Sequence, residues 1–394
     1  MAIILFDDNA HLTLLPLTYT RPVAHLRIGI LTIAEKWSEY LKKEYSFYTV
    51  DYLRVKFPAK YEADNLFING AVCPDEGLLE AIDKLQTGEA LKYNEQLLAV
   101  RLNQTDAGIF NPGAEFSSIV NYPHLFVSIR YPEDIFRKND IELRKDFQLL
   151  TKNRTSAAIS ETNTIIGEDF FAEPGAVADC STFNTTNGPI YLANNTEIWE
   201  GTHIRGAFAI CEHSQVKMGA KIYGATTIGP YSRVGGEINN SIIWGYSSKG
   251  HEGYLGNSVL GEWCNIGADS NNSNLKNNYA DVKLWDYSSQ RFRNTGLQFC
   301  GLIMADHAKC GINTMFNTGT VVGVSANIFG SGFPRNFVPD FAWGGAQGFE
   351  VYAIKKMFET AQKVFDRREH RVFDETEQEL LKKVFELTEE YRRF

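Results

Sequence analysis

Eight branched aliphatic residues recur at a constant interval of six: Leu192, Ile198, Ile204, Ile210, Val216, Ile222, Ile228 and Val234. Neither a helix nor a lone strand has that period. If about a fifth of positions are Val, Ile or Leu, eight hits in one preset register have odds on the order of 10⁻⁶, or about 10⁻³ over every starting point. Two residues before these aliphatics the positions are mostly small (Thr196, Thr202, Ser214, Ala220, Thr226, Ser232), and glycines recur near the presumed corners (Gly201, Gly206, Gly219, Gly224, Gly229, Gly235). Each hexapeptide therefore reads as one short strand plus a turn, its aliphatic side chain pointing inward. Weaker hexads precede the run (Ile166, Ala172, Ala178) and others follow it (Leu260, Ile266, then Met304, Cys310, Phe316, Val322, Ile328). The pattern predicts a parallel β-helix of hexapeptide repeats over residues 160–345. Such a coil accounts for stability and leaves chemistry to what is grafted on it, so a rigid rod or spacer is one reading.

Glycine usage separates this region from its flanks: 25 of the 32 glycines fall between Gly167 and Gly345, and the first 150 residues hold six. Residues 1–155 mix strand-like runs (Ile3–Phe6, Phe47–Val50, Leu66–Ile68, Leu98–Leu102, His124–Ile129) with helical patterns at Ile30–Lys42 and Gly77–Leu85. This alternation predicts a Rossmann-like α/β domain. Residues 346–394 are rich in Lys, Arg and Glu, with apolar positions at Ile354, Met357, Phe358, Ala361 and Phe365, then Leu380, Leu381, Val384 and Phe385. Two C-terminal amphipathic α-helices broken near Phe373–Thr376 fit that spacing. A net charge of -9 argues against nucleic acid as the main partner, while leaving room for a local cationic pocket. No segment has the ~18 uninterrupted apolar residues of a membrane span. The start, MAIILFDDNAH, does not suit a signal peptide, so cytoplasmic residence is the default expectation. The six cysteines form no C-x-x-C pair and read as buried thiols.

Between Val234 and Leu260 the register of six fails, and the sequence there, GGEINNSIIWGYSSKGHEGYLGNSVLG, concentrates polar side chains. Interruptions of a repeat are where sites are placed. Ser248, Lys249, Gly250, His251, Tyr254, Leu255 and Gly256 spell S-K-G-H-x-x-Y-L-G. This resembles the S-K-A-G-H-x-x-Y-L-G segment of the bifunctional N-acetylglucosamine-1-phosphate uridyltransferases/glucosamine-1-phosphate acetyltransferases, one residue short before the histidine. Asn265–Ile266–Gly267–Ala268 lies at that family's spacing, and Asn278–Tyr279 resembles its Asn-Tyr pair after four extra residues.

The resemblance implies a left-handed parallel β-helix and an acetyl-CoA-dependent N-acetyltransferase acting on an amino-sugar phosphate. In that scheme His251 is the general base, which suits an imidazole of unperturbed pKa ~6.5. Asn278 would orient it; Tyr254, Asn265, Tyr279 and Lys249 would hold the sugar phosphate; Ala268 would meet acetyl-CoA. A homotrimer with sites between subunits is implied too. The family carries a basic residue twelve positions before the histidine, and Asn239 stands there in this chain, so phosphate recognition must be altered or come from elsewhere. Arg205, Lys221, Arg233, Lys249 and Lys276 are available cations. Asp306–His307 with Lys309 reads either as a carboxylate–imidazole pair along the donor groove or as a hydrated corner. A metal-bearing scaffold is a further reading, but His203 and His213 lie ten apart, out of step with the repeat, so a histidine triad would need His307 to fold close.

His11–Gly29, H-L-T-L-L-P-L-T-Y-T-R-P-V-A-H-L-R-I-G, resembles the sugar-1-phosphate nucleotidyltransferase signature through Leu15–Pro16–Leu17–Thr18 and Pro22. Asp7, Asp8 and Asn9 stand where glycines would cradle a triphosphate, Val23 replaces the lysine, and Ala71 replaces the magnesium-binding aspartate. Mg²⁺ would then need Asp75, Asp7 or Asp8, and nucleotide or sugar phosphate would need Arg21 or Arg27. Either the domain is a divergent nucleotidyltransferase using a nucleoside triphosphate, or it keeps the fold and binds without turnover. In the latter organisation, as in one where the β-helix only oligomerises or regulates, the activity sits in one half.

Overall fold

The computed structural model describes residues 1–368 and 371–394. By contacts it divides into two compact units, one of Met1–Leu26 with Leu31–Tyr131, the other of Arg27–Ile30 with Pro132–Phe394. The first unit holds a six-stranded mixed sheet in the order Tyr45–Tyr48, Ala2–Phe6, Asp64–Asn69, Gln96–Asn103, Glu89–Tyr93, Ser118–Asn121. The first three strands are parallel and the middle pairings antiparallel. The segment expected as a strand at His124–Ile129 contributes only a bridge between Val72 and Ser128. Helix Ile33–Leu41 starts where Thr32 and Glu35 form a reciprocal capping box, and Asp75 caps helix Glu76–Asp83.

The second unit is a parallel β-solenoid with C-terminal helices. Its three faces are sheets of six, nine and ten strands. All eight hexad aliphatics point into it and are at most 2% exposed, each such burial contributing roughly 1.5–3 kcal/mol. The small residues two positions earlier are also fully buried, and hydroxyls at such positions cross-link rungs: Ser214 Oγ donates to Gly229 O at 2.8 Å and, two residues before Lys249, Ser247 Oγ to Gly261 O at 2.9 Å. Stacked partners in the regular coils lie eighteen residues apart, as Ile210 to Ile228, which is three hexads.

The break expected between Val234 and Leu260 exists only in sequence. Ile228 pairs with Ile243 and Ile243 with Leu260, so the coil continues through turns that have lost residues. The real excursion is 273–301, after which Met304 pairs with Leu260. It carries the hairpin Lys283–Asp286 with Arg291–Asn294. Arg293 Nη2 ties this hairpin to Glu133 at 2.6 and 2.8 Å, and Tyr287 OH donates to the buried Asp340 at 2.7 Å.

Helix Pro132–Thr151 covers the nine-stranded face through strands Thr226–Ile228, Ile242–Gly245 and Val259–Glu262. Its buried side includes polar groups, each with work to do. Asn139 accepts from Gly29 N at 2.7 Å and donates to Ala225 O at 2.9 Å, and Asp146 accepts from Ile30 N at 2.7 Å. The division by contacts therefore falls near residue 131, ahead of this helix, where sequence composition placed it at 155.

At the corner between the nine- and ten-stranded faces, Asn195, His213, Tyr231, Tyr246, Trp263, His307, Ser325 and Phe341 all adopt left-handed backbone with φ between 53° and 63°. Their rings stack along the axis: His213 on Tyr231 at 4.7 Å, Tyr231 on Tyr246 at 5.3 Å, Tyr246 on Trp263 at 4.4 Å, Trp263 on His307 at 6.2 Å. The C-terminal helices, Ile354–Phe365 and Glu375–Leu387, fall where the apolar spacing put them. Phe365 lies 3.9 Å from Trp263, and Arg371 caps Tyr246 with Nε 3.0 Å from its hydroxyl. His213 and His307 are thus rungs of one aromatic ladder. Among the described residues no group of three His, Cys, Asp or Glu side chains could hold a metal. Asp306 accepts from Glu262 N at 2.8 Å, so Asp306–His307 serves as a corner. All six cysteines are free, five buried as expected and Cys180 exposed. Among the described residues no helix is long and apolar enough to cross a membrane.

Trp263→Ala removes the ring shared by the ladder and the first C-terminal helix. Core Trp deletions cost about 3–5 kcal/mol. The expected result is a lower melting temperature with faster amide exchange across residues 354–365, while exchange within the N-terminal sheet stays unchanged.

Candidate functional site

The corner that joins strand Ser248–Lys249 to strand Tyr254–Gly256 holds the resembling motif. Lys249 pairs with Val234 in the column that runs inward through Ile198, Val216 and Val234, and continues through Ile266, Cys310 and Ile328. Strand alternation therefore turns its side chain into the coil, where it is 2% exposed. The ammonium donates to Gly235 O at 2.8 Å and to His251 O at 2.9 Å. Burial pushes its pKa down to about 8, against a smaller upward pull from Glu252. The expectation that Lys249 holds substrate is corrected by this placement: a side chain on the inner register of a packed coil cannot reach a ligand outside it. It anchors the backbone of the corner instead.

Outside the corner, His251 and Glu252 are exposed. Gly253 has φ 117°, and a Cβ there would run into Ser270 O of the next coil, which keeps the turn against its neighbour. Tyr254 is half-buried and its ring lies over Gly256, where a Cβ would collide with it. Three asparagines fix this arrangement. Asn271 Oδ1 accepts from Tyr254 N at 2.7 Å, Asn272 exchanges bonds with Gly256 N and O at 2.8 and 3.0 Å, and Asn274 Nδ2 donates to Tyr254 OH at 3.0 Å. Sequence reading passed over them, although the run Asn271–Asn272–Ser273–Asn274 was a visible departure from apolar hexads.

The structure brings Lys249, His251 and Tyr254 into one corner. Asn265 is exposed on the ten-stranded face, paired with Ser248 on one side and Lys309 on the other. Ala268 sits at the following corner, its carbonyl accepting Asn313 N at 2.8 Å. Asn278 and Tyr279 are exposed within the excursion. Asn278 Oδ1 accepts from Ala280 N at 3.1 Å, and among the described residues no hydrogen bond joins it to His251. The role expected of Asn278 as orienter of His251 is not met in this arrangement, because its carboxamide closes its own turn.

In the first unit, the strand Ala2–Phe6 runs into a helical turn, Ala10–Thr13, in place of a glycine loop. Asp7 accepts from Val23 N at 2.8 Å, Thr49 Oγ1 at 2.5 Å and His11 Nδ1 at 3.0 Å. Asp8 accepts from Ala10 N and from Asn69 Nδ2, both at 2.8 Å, and Asp75 from Leu78 N at 2.8 Å. The three carboxylates proposed for Mg²⁺ are thus each committed to protein donors, and this donor set does not fit a magnesium site. Arg21 is buried at 4% exposure. Arg27 belongs to the other unit, where it bonds Ile30 O and lies 3.8 Å from Cys211 Sγ.

The architecture is a mixed α/β domain followed by a parallel β-solenoid of hexapeptide type, with an exposed histidine at one pinned corner. Comparison with known proteins agrees. Residues 3–155 match the sugar nucleotidyl transferase family. The chain is 25% identical over 197 residues to the bifunctional protein GlmU of Synechococcus elongatus, covering 48% of this chain and 39% of that one. It is 34% identical over 87 residues to the bifunctional protein GlmU of Methanocaldococcus jannaschii, covering 22% of this chain and 21% of that one. To the bifunctional sugar-1-phosphate nucleotidylyltransferase/acetyltransferase of Sulfurisphaera tokodaii it is 27% identical over 144 residues, covering 36% and 35%. The matches span less than half the length of these relatives. Among solved structures, the polySia specific acetyltransferase NeuO is similar at 16% identity and TM-score 0.26, covering 52% of this chain and 98% of that one. Over these parts of its length the chain is similar to GlmU-type bifunctional proteins.

Lys249 titrates low in the fold, about 8 against 10.5 when unfolded. Between those values the unfolded chain binds more protons, so the lysine's contribution to stability rises with pH, by roughly 3 kcal/mol in all. Below pH 8 the full penalty of the buried charge applies. Lys249→Met lacks this dependence, so the stability of wild type relative to the variant is expected to climb from pH 8 to 10.5 in chemical denaturation. A constant difference would show that the amine is not buried as a cation.

Proposed function

We propose that the chain is a transferase of sugar-nucleotide metabolism whose solenoid moves an acetyl group from acetyl-CoA to the amine of an amino-sugar phosphate at the His251 corner. The amine nitrogen attacks the thioester carbon, His251 accepts the proton that nitrogen loses, the C–S bond breaks and coenzyme A leaves as its thiol. The observation that carries this reading is the corner itself: an exposed imidazole on a backbone held from inside by Lys249 and flanked by a tyrosine whose hydroxyl is fixed by Asn274. A base carried on a fixed backbone suits acid–base catalysis, and a general base typically contributes 10²–10⁴-fold. Tyr254 and Asn265 are proposed to meet the sugar, Tyr279 to approach it from the excursion, and Ala268 to meet the donor. A homotrimer and a functional division into 1–155, 160–345 and 346–394 belong to this reading.

His251→Ala is expected to lower thiol release from acetyl-CoA by 10²–10⁴-fold on a panel of amino-sugar phosphates, with the melting temperature nearly unchanged because the side chain is exposed. Equal rates would remove His251 from the chemistry.

For the N-terminal domain we infer binding of nucleotide or sugar phosphate without nucleotidyl transfer. The match of residues 3–155 to the sugar nucleotidyl transferase family supports the ligand class, and the engagement of Asp7, Asp8 and Asp75 by protein donors, with Ala71 in place of the metal-binding aspartate, argues against turnover. With Mg²⁺ and pairs of nucleoside triphosphates and sugar 1-phosphates, no pyrophosphate above background is expected. Enzyme-dependent release from any pair would restore the nucleotidyltransferase reading.

A further inference from the structure

The six-stranded face of the solenoid carries an open groove of about 400 Å³ on its outward side, lined by Thr182, Asn184, His203, Arg205, Lys221 and Tyr223. Adjacent parallel strands place His203 beside Lys221 and, two residues on, Arg205 beside Tyr223. With rungs about 4.8 Å apart and alternate residues about 6.8 Å apart, these four outward side chains stand at the corners of a rectangle roughly 5 by 7 Å. All four are exposed. Among the described residues, neither Arg205 nor Lys221 has an acidic or hydrogen-bonding partner for its side chain, whereas Arg154 and Arg293 are each paired with a glutamate. Tyr223 is held by its hydroxyl, which donates to Glu237 at 2.5 Å; that bond, then burial, pushes its pKa up. Its ring is therefore a fixed wall beside two mobile cations, in a chain whose net charge is -9.

We propose that this groove is a binding site for a nucleoside diphosphate group. Arg205 and Lys221 take the two phosphates, since a guanidinium fork and an ammonium point charge are the usual partners of phosphate oxygens. Tyr223 gives a flat surface for the base, and Thr182 and Asn184 supply neutral hydrogen-bonding groups for ribose. Two cations without an ion-pair partner among the described residues outnumber the one carboxylate at the groove's edge, Glu237, and so favour an anionic occupant over a neutral sugar. The site is separate from the His251 corner. In the column that runs Thr182, His203, Lys221, Glu237, Tyr254, the carboxylate of Glu237 stands between the last cation and Tyr254, ending the attraction for anions before the corner is reached. The proposal stands whether or not His251 is a catalytic base.

The test is calorimetric titration of the full chain with ADP and with UDP at low and high salt. Binding of either is expected, weakening with salt, and at least tenfold weaker in Arg205→Gln/Lys221→Gln and in Tyr223→Ala but unchanged in His251→Ala. The substituted side chains are exposed, so melting temperatures should match wild type. Competition by coenzyme A would identify the source of the diphosphate as the donor substrate, and its failure would identify a free nucleotide or nucleotide-sugar. No binding of either diphosphate, binding indifferent to the groove substitutions, or binding lost in His251→Ala would each overturn the proposal. So would a change in oligomeric mass on substitution without diphosphate binding, which would make the face a contact with a second copy.

Discussion

Every coil of the solenoid must end one rung above where it began, about 4.8 Å along the axis, having turned one side chain inward from each of its three strands. That requirement sets the inner apolar columns, in which branched aliphatics predominate because they stack closely at that spacing. It also places small hydroxyl residues before them, where a serine or threonine can reach a carbonyl in the next coil. At one corner the chain can turn only in left-handed backbone, which costs an L-residue roughly 1–2 kcal/mol. The same 4.8 Å spacing lets aromatic rings stack, at about 0.5–1.5 kcal/mol per pair. In the run His213, Tyr231, Tyr246, Trp263 the strain and the stacking are therefore of similar size, and the ladder becomes the surface on which the C-terminal helices dock.

The requirement constrains the inward positions and leaves the turns free. Between Ile228 and Ile243 the coil drops three residues and still closes, because strand pairing is kept and only corners are shortened. This freedom permits Lys249. At the other rungs of its column from Ala178 to Ile328 the inner residue is Ala, Ile, Val or Cys, and there a lysine costs desolvation. What offsets that cost is local: two carbonyls of adjacent corners, Gly235 O and His251 O, are drawn to one ammonium from inside. A local rule of core composition is broken at the turn that carries the exposed histidine, which is where departures from consistency are expected to concentrate.

These two facts explain what could be read from the chain and what could not. The period of six was legible because it is a property of sequence spacing, and all eight aliphatics are buried where it placed them. The C-terminal helices were legible through their 3.6-residue period. The continuation of the coil through 235–259 was not, since spacing in sequence is lost when corners shorten while spacing in space is kept. Lys249 read as a ligand because a lysine has an outward prior, and only pairing with Val234 shows its direction. Helix Pro132–Thr151 escaped notice for a related reason. Glu133, Asn139, Glu142 and Asp146 look like a solvent face, yet they are at most 3% exposed, and Asn139 and Asp146 receive the backbone amides of Gly29 and Ile30. Of the site, the corner motif was legible and the asparagines that position Tyr254 were not, because their role depends on which rung lies above which.

The N-terminal strand–turn shows the same physics with the opposite consequence. A phosphate loop works by leaving backbone N–H groups unsatisfied until a ligand arrives, and glycines let the ligand come close. In this chain Asp8 accepts Ala10 N and Asp7 accepts Val23 N, so carboxylates supplied by the protein occupy amides near the position where a phosphate would be received. The negative charge needed to satisfy those amides is then internal. A triphosphate would have to displace Asp7 from three donors and bring its own charge against it, whereas the solenoid groove offers Arg205 and Lys221 against a single carboxylate, Glu237, at its edge. On electrostatic grounds alone, an anionic ligand of this protein is favoured on the solenoid face over the turn after its first strand.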